Sequence, residues 1–507
     1  MARLFVFAIG GTGSRVIKSL SMLLASGVQP KKSHSQYEII PIIIDPHKSN
    51  EDLKRTDRIL GYYEKIHEKV SNDCGFFGTK VTPLSSILDE SHLNRQFTFN
   101  IQDVANTRFR DYLDYHHLSV ETRKMTDLLF SGTSVNESGI KVPLMDVEMN
   151  IGFVGNPNIG SIVLHQFVQS DEFIQISSQF NAQDRIFIIS SIFGGTGAAG
   201  FPTILKAIRD APNNPRLDGV GFLQNAKIGA VTVLPYFNLQ PSEDSPIQKS
   251  DFIAKTKAAL HYYKSNVSGN NELNAMYYIG DDYIGKALDT NDPGHNGQKN
   301  NAHVVELAAA YSIINFLEIS DSDLETVNGN ATNPIYREYS LGKDDSIITI
   351  DSLGLKTKED IAFNLTQFVL FKKFLFENLN EAINTQPWSM GNEPFLDDNY
   401  FKNDKMFRDY LEPFLKLFDE WLVEMKKNDR SFSMFNDDSS FDYNALIEGR
   451  KVKTKPFNSG VTKVTFNDIL NRISAQNRGQ YSSKDKKLIK LFFDATNQIL
   501  KQKYGFN

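Results

Sequence analysis

Short apolar runs alternate with helix-like segments along the first 280 residues of the chain. The strand-like runs are residues 4–9, 37–44, 185–190, 228–234 and 275–279. Almost unbroken apolar runs of this length are typical of parallel strands that are covered on both faces. Residues 15–24 and 203–210, each preceded by a glycine-rich break, have helical spacing. Because alternating strands and helices imply crossover connections, the pattern predicts an α/β fold with a Rossmann-like, doubly wound parallel sheet.

The pattern changes beyond residue 300, and we expect two domains. Residues 302–318 predict a long apolar central helix that completes a first domain, 1–318. Within that domain, residues 46–150 are too long for one crossover and predict an insertion. Residues 319–507 predict a second, α+β, helix-rich domain that ends in a basic helix. In that domain residues 321–343 predict a loop, and residues 428–463, rich in Asn, Asp, Ser and Lys, predict a mobile surface loop.

Composition excludes several classes of protein. The 507 residues include one cysteine and carry a formal net charge of −6. One cysteine excludes an intramolecular disulfide and a cysteine-based zinc site, and the acidic balance disfavours a non-specific nucleic-acid binder. The apolar runs, about six residues long, fall far short of the roughly 20 that a membrane span needs. We therefore expect a soluble, cytoplasmic protein with no nucleic-acid or membrane partner.

The first strand runs into a glycine-rich turn. Its residues are Gly10, Gly11, Thr12, Gly13 and Ser14. A strand that turns sharply into a helix presents backbone N–H groups and the positive end of the helix dipole to a phosphate, and glycine lets the backbone approach closely. With Asp45 after the second strand, the turn also fits a dinucleotide-binding Rossmann unit. However, Gly-x-Gly-x-x-Gly spacing is missing, and Asp45 lies 34 residues beyond Gly11 rather than about 20.

A second glycine-rich turn follows the strand at 185–190. Its residues are Gly194, Gly195, Thr196, Gly197 and Ala198. We expect Pro202 in the first turn of the next helix, where its missing N–H would cost nothing. Two such turns in one sheet indicate a nucleotide whose phosphates are held from several sides. The chain has no Gly-x-x-x-x-Gly-Lys-Ser/Thr motif, so a P-loop enzyme is disfavoured.

In chain order, these turns and their neighbours resemble motifs of the tubulin and FtsZ superfamily over roughly residues 1–318. The second turn is similar to the Gly-Gly-Gly-Thr-Gly-Ser/Thr-Gly signature, from which Phe193 and Ala198 depart. Residues 152–160 resemble the FtsZ loop that faces the γ-phosphate. The residues that carry this second likeness are Gly155, Asn156 and Gly160.

Three downstream segments continue the resemblance. Pro235 ends a strand similar to the FtsZ strand near the ribose, residues 278–282 resemble the strand end that leads towards the base, and Asn301 opens a segment similar to tubulin's central helix. The resemblance implies GTP or GDP binding, with the phosphates on the three glycine loops, the ribose near 235–243, the base against Asn301, and Mg²⁺ as a candidate cofactor. An amide can recognise guanine because it both donates and accepts, but Asn is also a favoured helix N-cap.

An acidic segment follows the predicted central helix. It contains Asp321, Asp323 and Glu325, which are the candidate catalytic residues. In the superfamily such a loop from the next subunit orients water against the γ-phosphate, which phosphoryl transfer requires. The resemblance therefore implies a GTPase that associates with itself head-to-tail into filaments, as prokaryotic cytoskeletal proteins do. The chain departs from the motif, since the family's Asn is missing and Glu325 stands one place early.

Two other functions stay open. The displaced acidic residue favours a regulatory or scaffold protein that binds a guanine nucleotide without hydrolysing it. The turn at 10–14 with Asp45 favours a nicotinamide- or flavin-dependent Rossmann enzyme. The basic C-terminal helix is a candidate surface for an unidentified protein partner. His303 and Glu306 share a helical face but lack a third ligand, so no metal site is predicted.

Overall fold

A central parallel sheet organises the computed structural model. The structure describes residues 1–30, 36–47, 50–70, 74–88, 96–104, 106–135, 140–149, 153, 155–217, 220–239, 249–281, 290–291, 299–341, 346–436, 443–450, 452, 460–504 and 506. In this part of the chain the sheet strands are β1 (Ala2–Ile9), β2 (Tyr37–Ile44), β3 (Thr98–Phe99), β4 (Arg185–Ser191), β5 (Lys227–Val233), β6 (Ala275–Asp281) and β7 (Ile335–Leu341).

The strand order is β3-β2-β1-β4-β5-β6-β7, and every pairing is parallel. The first six strands follow the doubly wound 3-2-1-4-5-6 order, in which the order reverses between β1 and β4. The predicted α/β fold with a doubly wound sheet is therefore confirmed. The five apolar runs in the sequence became β1, β2, β4, β5 and β6.

Helices cover both faces of the sheet. The α-helices among the described residues are α1 (Gly10–Ala25), α2 (Glu51–Val70), α3 (Phe109–Tyr112), α4 (Val120–Leu129), α5 (Pro157–Gln169), α6 (Asp171–Gln179), α7 (Gly195–Arg209), α8 (Gly221–Gln224), α9 (Lys249–Asn266), α10 (Val304–Leu317), α11 (Leu355–Thr357), α12 (Phe363–Glu377), α13 (Leu379–Ala382), α14 (Pro387–Met390), α15 (Asp398–Asn403), α16 (Glu412–Lys427), α17 (Lys463–Gln476) and α18 (Lys484–Ile499). The helix α10 confirms the predicted central helix, and α12 to α18 confirm a helix-rich C-terminal region. Among the described residues, no helix has the length and apolar character that crossing a bilayer requires.

Alternate side chains of β1 enter two separate cores. Leu4, Val6 and Ala8 join a core formed with α1, α2, α10 and the C-terminal helices. Phe5, Phe7 and Ile9 join a second core with α5, α6 and α7. Burial on both faces explains why the β1 sequence is apolar without alternation.

The C-terminal helices pack against the residues between β2 and β3. The Phe76 ring contacts Phe368 on α12 and Phe493 on α18, with ring centroids 5.1 and 5.0 Å apart. Aromatic pairs at such distances add to the energy of area burial. The predicted insertion therefore contributes both β3 and a buried contact with the second predicted domain.

Two loop predictions are wrong. Residues 335–341 form β7, which extends the sheet beyond residue 318. Their sequence looked loop-like because an edge strand with exposed side chains such as Tyr336 and Glu338 needs no apolar run. In the segment 428–463, the described residues include side chains that belong to the core, among them Phe432 and Leu446. A polar composition concealed these few buried apolar positions.

Candidate functional site

The two predicted glycine turns touch each other at the point where the strand order reverses. The strand β1 ends at Ile9 and leads into α1, and β4 ends at Ser191 and leads into α7. Gly10 has a φ of +72°, which favours glycine, and a Cβ placed there would lie 3.3 Å from the Cβ of Thr196. Ligands of open α/β sheets bind at this crevice, beyond the carboxyl ends of the strands.

The third predicted loop, before α5, closes onto the second. A Cβ at Gly195 would lie 2.9 Å from the backbone N of Asn156 and 3.1 Å from that of Gly155. A Cβ at Gly160 would lie 2.8 Å from the carbonyl oxygen of Gly195. Contacts this short exclude a side chain, so glycine is required where the loops meet. The structure thus brings the predicted phosphate loops together.

The helices that begin at these loops present their first N–H groups without a capping side chain. The cap residues of α1, α5 and α7 are Ile9, Asn156 and Gly194, and none makes a side-chain cap hydrogen bond within the described chain. Cap hydrogen bonds are made at some other helices by Ser119, Ser170, Asp397, Thr462 and Ser483, whereas α3, α8 and α14 also lack one. Uncapped N-termini that converge are suited to an anion.

Two polar groups, one in the first turn and one beside it, lie at this edge of the sheet. The Ser14 hydroxyl is buried, and no hydrogen-bond partner for it lies among the described residues. Asp45 follows β2, whose last residue Ile44 pairs with Ile9, so Asp45 and Gly10 occupy equivalent places at the sheet edge. Burial raises the pKa of Asp45 to about 7, although its carboxylate accepts a hydrogen bond from the His47 N–H at 3.0 Å.

A buried polar cluster supports the first turn from behind. The Arg15 guanidinium lies 2.7 Å from Glu306 on α10 and donates a hydrogen bond to the Tyr236 hydroxyl at 2.7 Å. Tyr236 in turn donates to Glu306 at 2.6 Å. Burial raises the pKa of Tyr236 well above 10, so its hydroxyl stays protonated and can donate. Since Tyr236 follows Pro235, the cluster joins the predicted ribose segment to the first turn.

The cluster continues into the C-terminal region through Glu424 on α16. Glu424 pairs with Lys18 at 3.4 Å, forms an ion pair with Arg55, and accepts a hydrogen bond from the Ala302 N–H at 3.0 Å. Burial lowers the pKa of Lys18. The beginning of α10, which follows Asn301, is therefore held in place by residues from α1, α2 and α16. The sequence showed no sign of this link.

Asn301 is exposed and does not cap α10. The cap is His303, whose Nδ1 accepts a hydrogen bond from the Val305 N–H at 3.1 Å, while Glu306 accepts from the His303 N–H at 3.2 Å. Burial lowers the pKa of His303 to about 4, which keeps the ring neutral and able to accept. The N-cap alternative for Asn301 is therefore wrong, and its recognition of a base stays a prediction.

The acidic segment lies at the other end of the sheet. Asp321 pairs with Arg185 at 2.8 Å and with Lys227 at 2.7 Å, the first residues of β4 and β5. Although partial burial acts to raise its pKa, hydrogen bonds from Lys227 and Arg185 lower it. Asp323 and Glu325 are exposed. At about 3.3 Å per residue, β4 separates these acids from the glycine loops by roughly 20 Å, so one chain does not bring them together.

Some predicted positions lie outside the described residues. These are Gly152 and Val154 of the third loop, residues 240–243 of the predicted ribose segment, and Asp282. Among the residues that the structure does describe, no group of three or more His, Cys, Asp or Glu side chains is arranged to hold a metal ion. A nucleotide-bound Mg²⁺ takes most of its ligands from phosphates and water, so it needs no such group.

The similarity of the chain to known proteins is confined to solved structures. No protein-family model matches the chain, and no curated protein matches its sequence. Among solved structures, CetZ from Methanosaeta thermophila strain DSM 6194 matches at 12% identity and TM-score 0.27, over 62% of this chain and 52% of that chain. A mutant FtsZ from M. jannaschii matches at 13% identity and TM-score 0.24, over 55% of this chain and 46% of that chain. An empty FtsZ dimer from M. jannaschii matches at 14% identity and TM-score 0.23, over 55% of this chain and 45% of that chain. The chain thus spans about half the length of these structures.

Proposed function

We propose that the chain binds a guanine nucleotide where its three glycine loops meet. The observation that carries this proposal is the contact geometry of Gly10, Gly155 and Gly195, together with the uncapped first turns of α1, α5 and α7. Converging N–H groups and helix dipoles stabilise phosphate groups. The order of the motifs along the chain, which resembles that of tubulin and FtsZ, supports a guanine base.

The base lies against Asn301 in this proposal, and the ribose lies near Pro235. The pair of Arg15 with Glu306 fixes the start of α10 beside the first turn, so Asn301 belongs to the same edge of the sheet as the glycine loops. The exposed amide of Asn301 can donate to and accept from the guanine edge. Thr12 and Ser14 of the first turn would contact the phosphates or a Mg²⁺ bound to them.

Hydrolysis in this proposal needs a second copy of the chain. The exposed Asp323 and Glu325 lie roughly 20 Å from the glycine loops of their own chain, and a head-to-tail neighbour would carry them to those loops. Beside them, α8 exposes Phe222, and the hairpin formed by Thr326–Val327 and Asn330–Ala331 exposes Val327. A shallow cavity of about 320 Å³ next to Phe222 adjoins Lys227. Such a heterologous contact produces a filament when its rotation does not close.

A second candidate is nucleotide binding without turnover. Asp321 is held by two cations of its own chain, Arg185 and Lys227, and this arrangement favours a structural role for that carboxylate. Asp323 and Glu325 then remain as the acids that distinguish the two candidates.

The test of the proposed function is the identity of the nucleotide that copurifies with the chain, measured by chromatography after denaturation. The expected result is GDP or GTP in the unmodified chain and in Gly221→Ala, where a Cβ meets open space. Gly195→Ala is expected to lose it, because its Cβ would press on the Asn156 backbone. A nicotinamide or flavin nucleotide would contradict the proposal and would support a Rossmann enzyme.

A further inference from the structure

The three glycine loops contain no cationic side chain of their own. Residues 10–14, 155–160 and 194–200 include neither Lys nor Arg. Backbone N–H groups and helix N-termini supply only partial positive charge. A triphosphate carries several full negative charges, and phosphate sites commonly add a Lys or Arg to balance them.

The helix α9 brings such a cation to the loops. Its Tyr263 hydroxyl donates a hydrogen bond to the Ala198 carbonyl at 3.2 Å, and the Tyr263 and Phe201 rings lie 5.2 Å apart. These contacts fix α9 against the first two turns of α7. Two helical turns earlier, the half-buried Lys255 donates from Nζ to the carbonyl oxygen of Gly155 at 2.8 Å. The ammonium group therefore lies at the loop that closes onto Gly195.

The two faces of the sheet determine which phosphate Lys255 would meet. Asn301 precedes α10, which packs on the face with α1, whereas Gly155 precedes α5, which packs on the other face with α7. A nucleotide whose base lies at Asn301 must therefore extend its phosphates across the sheet edge towards Gly155. The phosphate farthest from the base comes closest to the ammonium group.

We propose that Lys255 binds the terminal phosphate of a bound nucleoside triphosphate and sets the preference for triphosphate over diphosphate. The inference rests on the proposed function. A phosphate oxygen is anionic and forms a stronger hydrogen bond with this ammonium group than the neutral carbonyl oxygen of Gly155 does. The flexible four-carbon side chain of Lys255 can reach such an oxygen without moving α9.

The experiment measures the dissociation constants of GTP and GDP for four chains by calorimetry at one salt concentration. The chains are the unmodified protein, Lys255→Gln, Lys255→Arg, and Lys257→Gln, which removes an exposed Lys two residues away on the same helix. Loss of a charge-assisted hydrogen bond weakens binding by about tenfold or more. Lys255→Gln should weaken GTP binding by this factor and GDP binding by less than about threefold. Lys255→Arg should retain most of the preference, and Lys257→Gln all of it.

The ratio of the GTP and GDP dissociation constants within one variant does not depend on how much of the protein is folded, because both ligands bind the same folded fraction. An unchanged ratio in Lys255→Gln, or the same change in Lys257→Gln, would overturn the inference while leaving the proposed function intact. Absence of binding of either nucleotide to the unmodified chain would overturn the proposed function and this inference with it.

Discussion

The guanidinium of Arg15 and the carboxylate of Glu306 lie 2.7 Å apart, with both side chains almost completely removed from solvent. Arg15 directly follows the first glycine turn, and Glu306 belongs to the first turn of α10. The pair therefore fixes the distance between the proposed phosphate site and the proposed base site. Because Glu424 on α16 holds the residue before His303, the C-terminal region helps to define that distance.

Removing one member of this pair should be costly. We expect Glu306→Ala to lower the free energy of unfolding by about 3–5 kcal/mol, because it leaves a buried guanidinium without its main partner. Lys416→Ala, which removes an exposed partner of Glu412, should have almost no effect. Urea denaturation followed by circular dichroism measures both. Equal urea midpoints for Glu306→Ala and the unmodified chain would show that the Arg15–Glu306 pair does not stabilise the fold.

The raised pKa of Asp45 should make stability depend on pH. Between about pH 4 and pH 7 the folded chain keeps a proton that the unfolded chain has released, so stability falls as pH rises and levels off above about 7. The total change from this group is on the order of 4 kcal/mol. Asp45→Asn should remove this contribution and be more stable than the unmodified chain at pH 8. Denaturation curves at pH 5 and pH 8 check it, and the same pH dependence in both proteins would refute the assignment.

Two glycine-to-alanine substitutions should change stability in opposite directions, one through a close contact with the backbone and the other through helix propensity. A Cβ at Gly197 would lie 2.8 Å from the Ser191 backbone, whereas a Cβ at Gly61 in α2 meets no atom within 4 Å. We expect Gly197→Ala to reduce the free energy of unfolding by about 1–3 kcal/mol through overpacking. Gly61→Ala should increase it by about 0.5–1 kcal/mol because alanine favours the helix. Urea midpoints that move in the same direction would count against the described loop geometry.

The acidic segment should act between chains. Asp323→Ala should bind GTP normally but release no phosphate, since its acid is missing at the neighbour's site. Gly195→Ala should release none either, because it does not bind the nucleotide. An equimolar mixture of the two variants should recover phosphate release. In the mixture, Asp323 of a Gly195→Ala chain can lie at the intact nucleotide site of an Asp323→Ala chain. A mixture as inactive as its components would contradict hydrolysis between subunits and favour binding without turnover.

The sequence predicted those parts of the fold that local pattern determines. The strands β1 and β4 are almost unbroken apolar runs because both of their faces are covered, and α10 is apolar because it is buried between the sheet and the C-terminal helices. The edge strand β7 was missed because exposure on an edge removes the apolar signal. The buried Phe432 was missed because polar neighbours surround it in sequence.

Part of the candidate site was predictable from the sequence and part was not. The glycine loops were predictable because a turn is determined by residues close together in sequence, such as Gly10 and Gly13. Lys255 and Glu424 were not, because the first reaches a loop 100 residues away and the second reaches Lys18 across 406 residues. Only the packing of α9 and α16 brings these side chains to the site.

Binding of a guanine nucleotide is tested by a calorimetric titration of the purified, nucleotide-free chain with GTP, GDP, ATP and NAD⁺. We expect saturable binding of GTP and GDP, weaker or absent binding of ATP, and no binding of NAD⁺. Binding of NAD⁺ without GTP, or no heat with any of the four, would contradict the claim that the three glycine loops hold a guanine nucleotide.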